Sequence, residues 1–233
     1  MRSWSVPVWV LALLLFSQIT ADAQSVNDGG AWVAGFGRGD IAFDSTDRLR
    51  WWFDGHLRFF DDTDGFGQSI VRPGIGYALD ERVTLWAGYG WIRTSPPTAS
   101  DIDEHRIWQQ LTWSQPCNRH TLGFRSRLEQ RLVETGDDTG LRFRQLVSWR
   151  HPIGCSQKCT FVLWDELFVH LNDTDWGANT GFDQNRSFIG FGLKRNADSP
   201  WRVEVGYLAQ HINRRARGDL TNHLLSVNFY HSP

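Results

Sequence analysis

The sequence predicts an all-β protein: a single closed antiparallel transmembrane β-barrel of roughly 10–12 strands after a cleaved signal peptide. Three observations predict it. Charged residues recur two apart, as in Arg125, Arg127, Glu129 and Arg131, in Arg142 and Arg144, and in Arg48, Arg50, Asp54, His56 and Arg58. Leu49, Trp51, Phe53, Leu57, Phe59, Leu128, Leu132, Leu141 and Phe143 stand between them. A period of two means strands with one apolar and one ionised face. The chain also opens on an export signal, and many of its alternating segments reach about ten residues, the length of a tilted membrane strand.

The signal comes first. Arg2 is followed by an apolar run from Val6 to Phe16 and by the small-x-small site Ala21-Asp22-Ala23. This predicts a signal peptide over residues 1–23, because the run is too short for a spanning helix. No lipobox cysteine accompanies it. Residues 24–233 then form the barrel domain, with no linker or repeat to divide them. A mean hydropathy of −0.40 does not argue against a barrel, whose lumen and loops are polar. The counts of Trp (13) and Phe (15), with Lys scarce beside Arg, suit either a membrane girdle or a carbohydrate-binding sandwich. A net charge of −2 points away from nucleic acid.

The strands follow in order. Ala31–Ala42 is the first, blurred by glycines at 35, 37 and 39, and a tight turn leads into Arg48–Phe60. Gln68–Leu79 and Arg82–Thr94 flank Asp80-Glu81, and Ser95–Glu104 is a loop with two prolines. His105–Ser114 and Arg119–Glu134 flank Gln115–Asn118, and Leu141–Arg150 follows. Thr160–Leu171, Arg186–Lys194, Trp201–Ile212 and Leu220–Tyr230 complete the series. Tight and longer acidic connections alternate, as in bacterial barrels with short periplasmic turns. These segments number eleven, whereas single-chain bacterial barrels have an even number. The expectation is therefore ten strands, with Ala31–Ala42 outside the wall, or twelve, with two strands merged.

The aromatic face is assigned to lipid, because Arg at mid-depth would cost about 2–4 kcal/mol each there. The lumen then carries a charge ladder of Arg48, Arg50, Arg58, Arg72, Arg106, Arg125, Arg127, Glu129, Arg131, Arg142, Arg144, Glu166, Arg186, Arg202 and Glu204. Arg pairs bidentately with carboxylates and keeps its charge, so the ladder reads as a plug or as an anion pathway. The plug is preferred, because long side chains leave little room in so narrow a barrel.

The run Arg125-x-Arg127-Leu128-Glu129-Gln130-Arg131, then Leu141-Arg142-Phe143-Arg144, Trp164-Asp165-Glu166-Leu167-Phe168, Asp183-Gln184-Asn185-Arg186-x-Phe188-x-Gly190-x-Gly192 and Glu204-x-Gly206-Tyr207 resembles a bacterial family known only as a domain of unknown function. Arg72-Pro73-Gly74-Ile75-Gly76-Tyr77 and Glu104-His105-Arg106 share the likeness. The resemblance implies an outer-membrane β-barrel and carries no activity. The C-terminus departs from the usual barrel pattern: Leu225, Val227 and Phe229 alternate, but His231-Ser232-Pro233 runs past the aromatics.

Catalytic chemistry has little support. Gly-x-Ser-x-Gly is absent, and no serine is placed to join His105 with Glu104 or His170 with Asp173. Cys155–Cys159 is the disulfide candidate, with Cys117–Cys155 as its rival; a zinc site on His151 and the cysteines is the lesser alternative. Acids at Asp61, Asp62 and Asp64, at Asp101, Asp103 and Glu104, and at Asp173 and Asp175 read as solvated loops that could share divalent cations with lipopolysaccharide. No catalytic residue, metal or cofactor is therefore expected. The expected partners are the outer-membrane bilayer, its lipopolysaccharide, the barrel assembly machinery and small anions, and the expected location is the outer membrane. The leading functional reading is a narrow channel or structural barrel. A lipid-modifying enzyme with a rim active site and a secreted sugar-binding sandwich are the alternatives.

Overall fold

Alternation of side chains along every strand is what closes this wall. The computed structural model describes residues 26–41, 48–61, 65–154, 158–214 and 218–233, so residues 1–23 of the expected signal peptide lie outside the described residues. Among the described residues the strands are β1 Val26–Asp40, β2 Leu49–Phe60, β3 Gly65–Ala78, β4 Val83–Thr94, β5 Ile102–Cys117, β6 His120–Val133, β7 Thr139–Ile153, β8 Cys159–His170, β9 Gly181–Leu193, β10 Trp201–Ile212 and β11 Leu220–His231. Each pairs with its neighbour in sequence, and β1 pairs with β11 to close the barrel.

Eleven strands correct the even count. An up-and-down meander reverses direction at every turn, so an odd number leaves its first and last strands parallel. The seam is accordingly parallel, from Val26 opposite Leu220 to Gly37 opposite His231. This also corrects the wholly antiparallel barrel. β1 belongs to the wall despite its glycines. At Gly37 and Gly39 an added Cβ would lie 2.7 and 2.8 Å from the Trp51 side chain of β2. That indole covers the outer face of β1, so the missing side chains blur the alternation without breaking the strand.

The strands run from 12 residues, as in β2, to 16 in β5, longer than the roughly 9–11 a tilted strand needs to cross hydrocarbon. Register shifts mark bulges at Arg58/Phe59 and Phe168/Val169. One rim carries the connections after β1, β3, β5, β7 and β9 and the C-terminus; we call it the turn rim. The other, the loop rim, carries the remaining connections and the start of β1.

The faces are inverted relative to a soluble sandwich. Phe53, Ile75, Leu85, Ile107, Phe143, Ile189, Phe191 and Leu225 are exposed on the outside, while Asp54, Glu129 and Glu204 are fully buried within. One closed sheet with charges at its centre excludes the two-sheet sandwich alternative, which keeps its apolar face inward.

Candidate functional site: the arginine-lined lumen

The parity that puts Arg127 inside also puts Glu129 inside, one dyad toward the loop rim on β6. Antiparallel pairing sets Arg144 of β7 beside Arg127 and Arg142 beside Glu129. Glu129 becomes a hub. It accepts from Arg142 Nε and Nη2 at 3.0 and 2.6 Å and from Arg144 Nη1 at 2.6 Å. Arg106 and Arg127 stand 3.8 Å from it. The neighbouring carboxylates are held by arginine as well. Glu104 takes two bonds each from Arg106 and Arg131. Glu166 takes Arg125 at 2.8 Å and both Arg144 Nε and Nη2. Asp54 takes Arg72 Nε at 2.5 Å and the Trp52 indole at 2.8 Å. Asp183 bonds Arg142 at 3.0 Å, with His170 at 3.4 Å.

Aromatic rings fill the space between the guanidinium planes. Arg127 lies 4.6 Å from the Trp108 centroid. Arg144 and Arg186 each lie 4.5 Å from that of Phe168. Such contacts help hold a desolvated cation. Trp32, Trp52 and Trp108 were not among the residues expected in the lumen. Parity with Arg50, Asp54, Arg106 and Gln110 is the signal that finds the latter two. Asp183 escapes parity because it sits at the bulge of β9.

The remaining ladder residues lie toward the turn rim. Arg202 and Arg150 share Glu204 at 3.0 and 3.4 Å, and Arg50 pairs with Asp40 at 2.9 Å. Arg48 is not in the lumen. It is exposed at the rim, with its guanidinium 3.4 Å from the Tyr77 hydroxyl on the outer face, because it precedes the first residue of β2. Between the turn rim and the ion-pair layer lies a cavity of about 640 Å³, with Arg82, Lys194 and Pro233 at its mouth and Trp32, Arg58, Arg72 and Arg186 at its inner end.

Part of the loop rim is covered. Trp176, in the connection after β8, lies over Arg131 at 4.9 Å, and its indole donates to the Asp138 carbonyl at 2.8 Å. The Asp175 carboxylate accepts the amides of Asp137 and Asp138 at 2.8 and 3.2 Å. Those amides, Asp137 first, hold it below the ordinary carboxylate range.

The catalytic candidates come apart in three dimensions. Glu104 faces inward and its neighbour His105 outward, where His105 meets the Tyr89 hydroxyl. The carboxylate beside His170 is Asp183. Among the described residues Cys117 and Cys159 have no disulfide partner; Cys155, and with it the Cys155–Cys159 candidate and its Cys117–Cys155 rival, lies outside the described residues, as do Asp62 and Asp64. His151 stacks on His120 and Trp149. Among the described residues no group of three or more His, Cys, Asp or Glu is placed to hold a metal ion.

Fold and site together define a closed β-barrel with an ionised, largely filled interior. The chain belongs to the family described as "Protein of unknown function (DUF2490)", whose model matches residues 29–221. An uncharacterised protein of Methylorubrum extorquens is 31% identical over 223 residues, spanning 93% of each chain. Among solved structures, LpxR from Salmonella typhimurium aligns over 76% of this chain and 82% of its own, at 8% identity and a TM-score of 0.45. That distance is too great to bear on what this chain does.

Proposed function

We propose that this protein is an outer-membrane barrel whose lumen is closed by an arginine–carboxylate plug, making it a gated or structural barrel and not an open pore. The observation that carries this reading is the Glu129 hub. Four guanidinium groups surround one fully buried carboxylate, and the cavity stops on the turn-rim side of that layer. The bilayer setting is supported by the outward apolar face and by strands long enough to cross hydrocarbon. Exposing the same residues to water would leave a continuous apolar belt, which soluble monomers avoid.

Two experiments test this in sequence. Carbonate washing of fractionated envelopes is expected to leave the folded protein in the outer-membrane pellet; its release would remove the membrane assignment. Planar-bilayer recording of the refolded barrel is expected to give no steady open state. Persistent conductance would overturn the plug, and in that case the arginine-rich wall predicts anion preference.

A further inference from the structure

Most lumen arginines form an ion pair with a carboxylate of this chain. Among the described residues Arg58 and Arg186 do not: Arg58 bonds Gln68 at 2.7 Å and Arg186 bonds Gln184 at 3.1 Å, and Glu166, which lies opposite Arg186 across β8 and β9, is bonded by Arg125 and Arg144 instead. The guanidinium carbons of Arg58 and Arg186 lie against the ring of Trp32, at 4.0 and 4.9 Å from its centroid. The three side chains are 7%, 8% and 5% exposed. In each a nitrogen is buried with no hydrogen-bond partner among the described residues: Nε of Arg58, Nε of Arg186 and Nε1 of Trp32. All three line the inner end of the vestibule.

Arginine cannot shed its proton to escape this burial. A desolvated charge without a bonded counterion is costly, and the costs here sit side by side at the end of an accessible cavity. We infer that the inner end of the vestibule is a binding site for a small organic phosphate, held by Arg58, Arg186 and the indole N–H of Trp32. Guanidinium forks match phosphate oxygens. A phosphate offers enough acceptors for two forks and an indole, whereas a carboxylate offers two oxygens. A cavity of about 640 Å³ is in the range of small-molecule sites, so it holds more than the anion. Phe36, Trp164 and Leu208 supply apolar wall for the organic part. The site rests on the plugged-barrel reading for its closed inner end.

The test uses the refolded full barrel in zwitterionic detergent at low salt. Glycerol 2-phosphate, inorganic phosphate, acetate and chloride are titrated at matched ionic strength. Tryptophan fluorescence and the temperature at which the compact electrophoretic form is lost are the readouts. Both phosphates are expected to change fluorescence and raise that temperature, glycerol 2-phosphate more strongly, with acetate and chloride near baseline. Arg58→Gln and Arg186→Gln should each weaken binding by about tenfold or more. The double variant should lose the response yet melt higher than the parent without anion, because two unpaired charges are gone. Arg93→Gln, at an exposed pair with Asp103, should bind like the parent. A parent response to phosphate no greater than to chloride overturns the site, whether or not any variant folds. Full retention of the response in the double variant overturns it as well. A phosphate response without glycerol 2-phosphate preference rejects the organic ligand in favour of free phosphate. Failed binding in a non-conducting barrel rejects this site alone; steady conductance rejects the plug.

Discussion

Glu129 shows at the scale of one residue why a charged core can hold a barrel together. Its carboxylate is fully buried, and its desolvation is offset only because four guanidinium groups face it. Removing the charge takes one of two carboxylates from each of Arg142 and Arg144, leaving them Asp183 and Glu166 respectively, at a fully buried position. Glu129→Gln keeps the shape and is expected to cost about 3–5 kcal/mol, as breaking a buried pair does. Urea unfolding of the refolded barrel, followed by tryptophan fluorescence, measures this; a change within error of the parent would mean the hub is redundant. Arg93→Gln, at an exposed pair that solvent screens, is expected to unfold with the parent. Much of this hub was legible in the sequence. Arg125, Arg127, Glu129 and Arg131 share a face by parity, and Arg142 and Arg144 share the next. Their register across the β6–β7 hairpin was not legible, because the type and length of the turn over residues 134–138 fix it and alternation alone does not say where each strand ends.

The connection between β8 and β9 carries the argument at the scale of elements. In sequence Asn172–Asp183 reads as a loop with solvated acids at Asp173 and Asp175, yet Asp175 and Trp176 fasten it across the loop rim to the turn between β6 and β7. Loop acids look alike in sequence whether they meet water or a backbone amide, which is why this fastening was invisible. The Asp175 carboxylate is held below its ordinary value by those amides. A depressed folded value means the contribution is present above the unfolded carboxylate pKa and fades as pH falls through the folded one. Asp175→Asn is therefore expected to speed proteolytic cleavage of residues 171–180 at neutral pH, with the difference from the parent shrinking below about pH 4. Equal cleavage at neutral pH would show that Asp175 does not hold the loop. Strands, by contrast, were legible in sequence, and their small residues carry structural reasons. Gly190 and Gly206 face each other across β9 and β10. An added Cβ at Gly206 would lie 2.2 Å from the Ile189 carbonyl oxygen, a backbone atom that cannot step aside. Gly206→Val is expected to abolish the compact electrophoretic form, and its persistence would show that the wall can open at this pair.

At the scale of the whole molecule, the odd strand number decides how the barrel is closed. Eleven alternating segments are present in the sequence, but their number alone does not say whether the first joins the wall. The glycines of β1 hide its outer face, and Trp51 from the next strand supplies what they lack. Because β1 joins, the chain enters the wall at the loop rim and leaves it at the turn rim, and the seam is parallel. Parallel pairing is slightly weaker per residue than antiparallel pairing, and the seam offsets this with an unbroken run of pairs from Val26 to Gly37. Its register is specific enough to test by cross-linking. Ala31 and Leu225 are direct partners across the seam and share the outward face, so a disulfide between them needs no backbone movement. Ala31→Cys with Leu225→Cys, in a background where Cys117, Cys155 and Cys159 are serine, is expected to oxidise efficiently in the folded barrel. The product should resist opening on heating until reductant is added. Ala31→Cys with Phe229→Cys, four residues out of register and so about 13 Å away along the strand, should not form the bond. An antiparallel seam, or a twelfth strand between β1 and β11, would reverse or abolish that preference, and the closed odd-stranded wall would have to be abandoned.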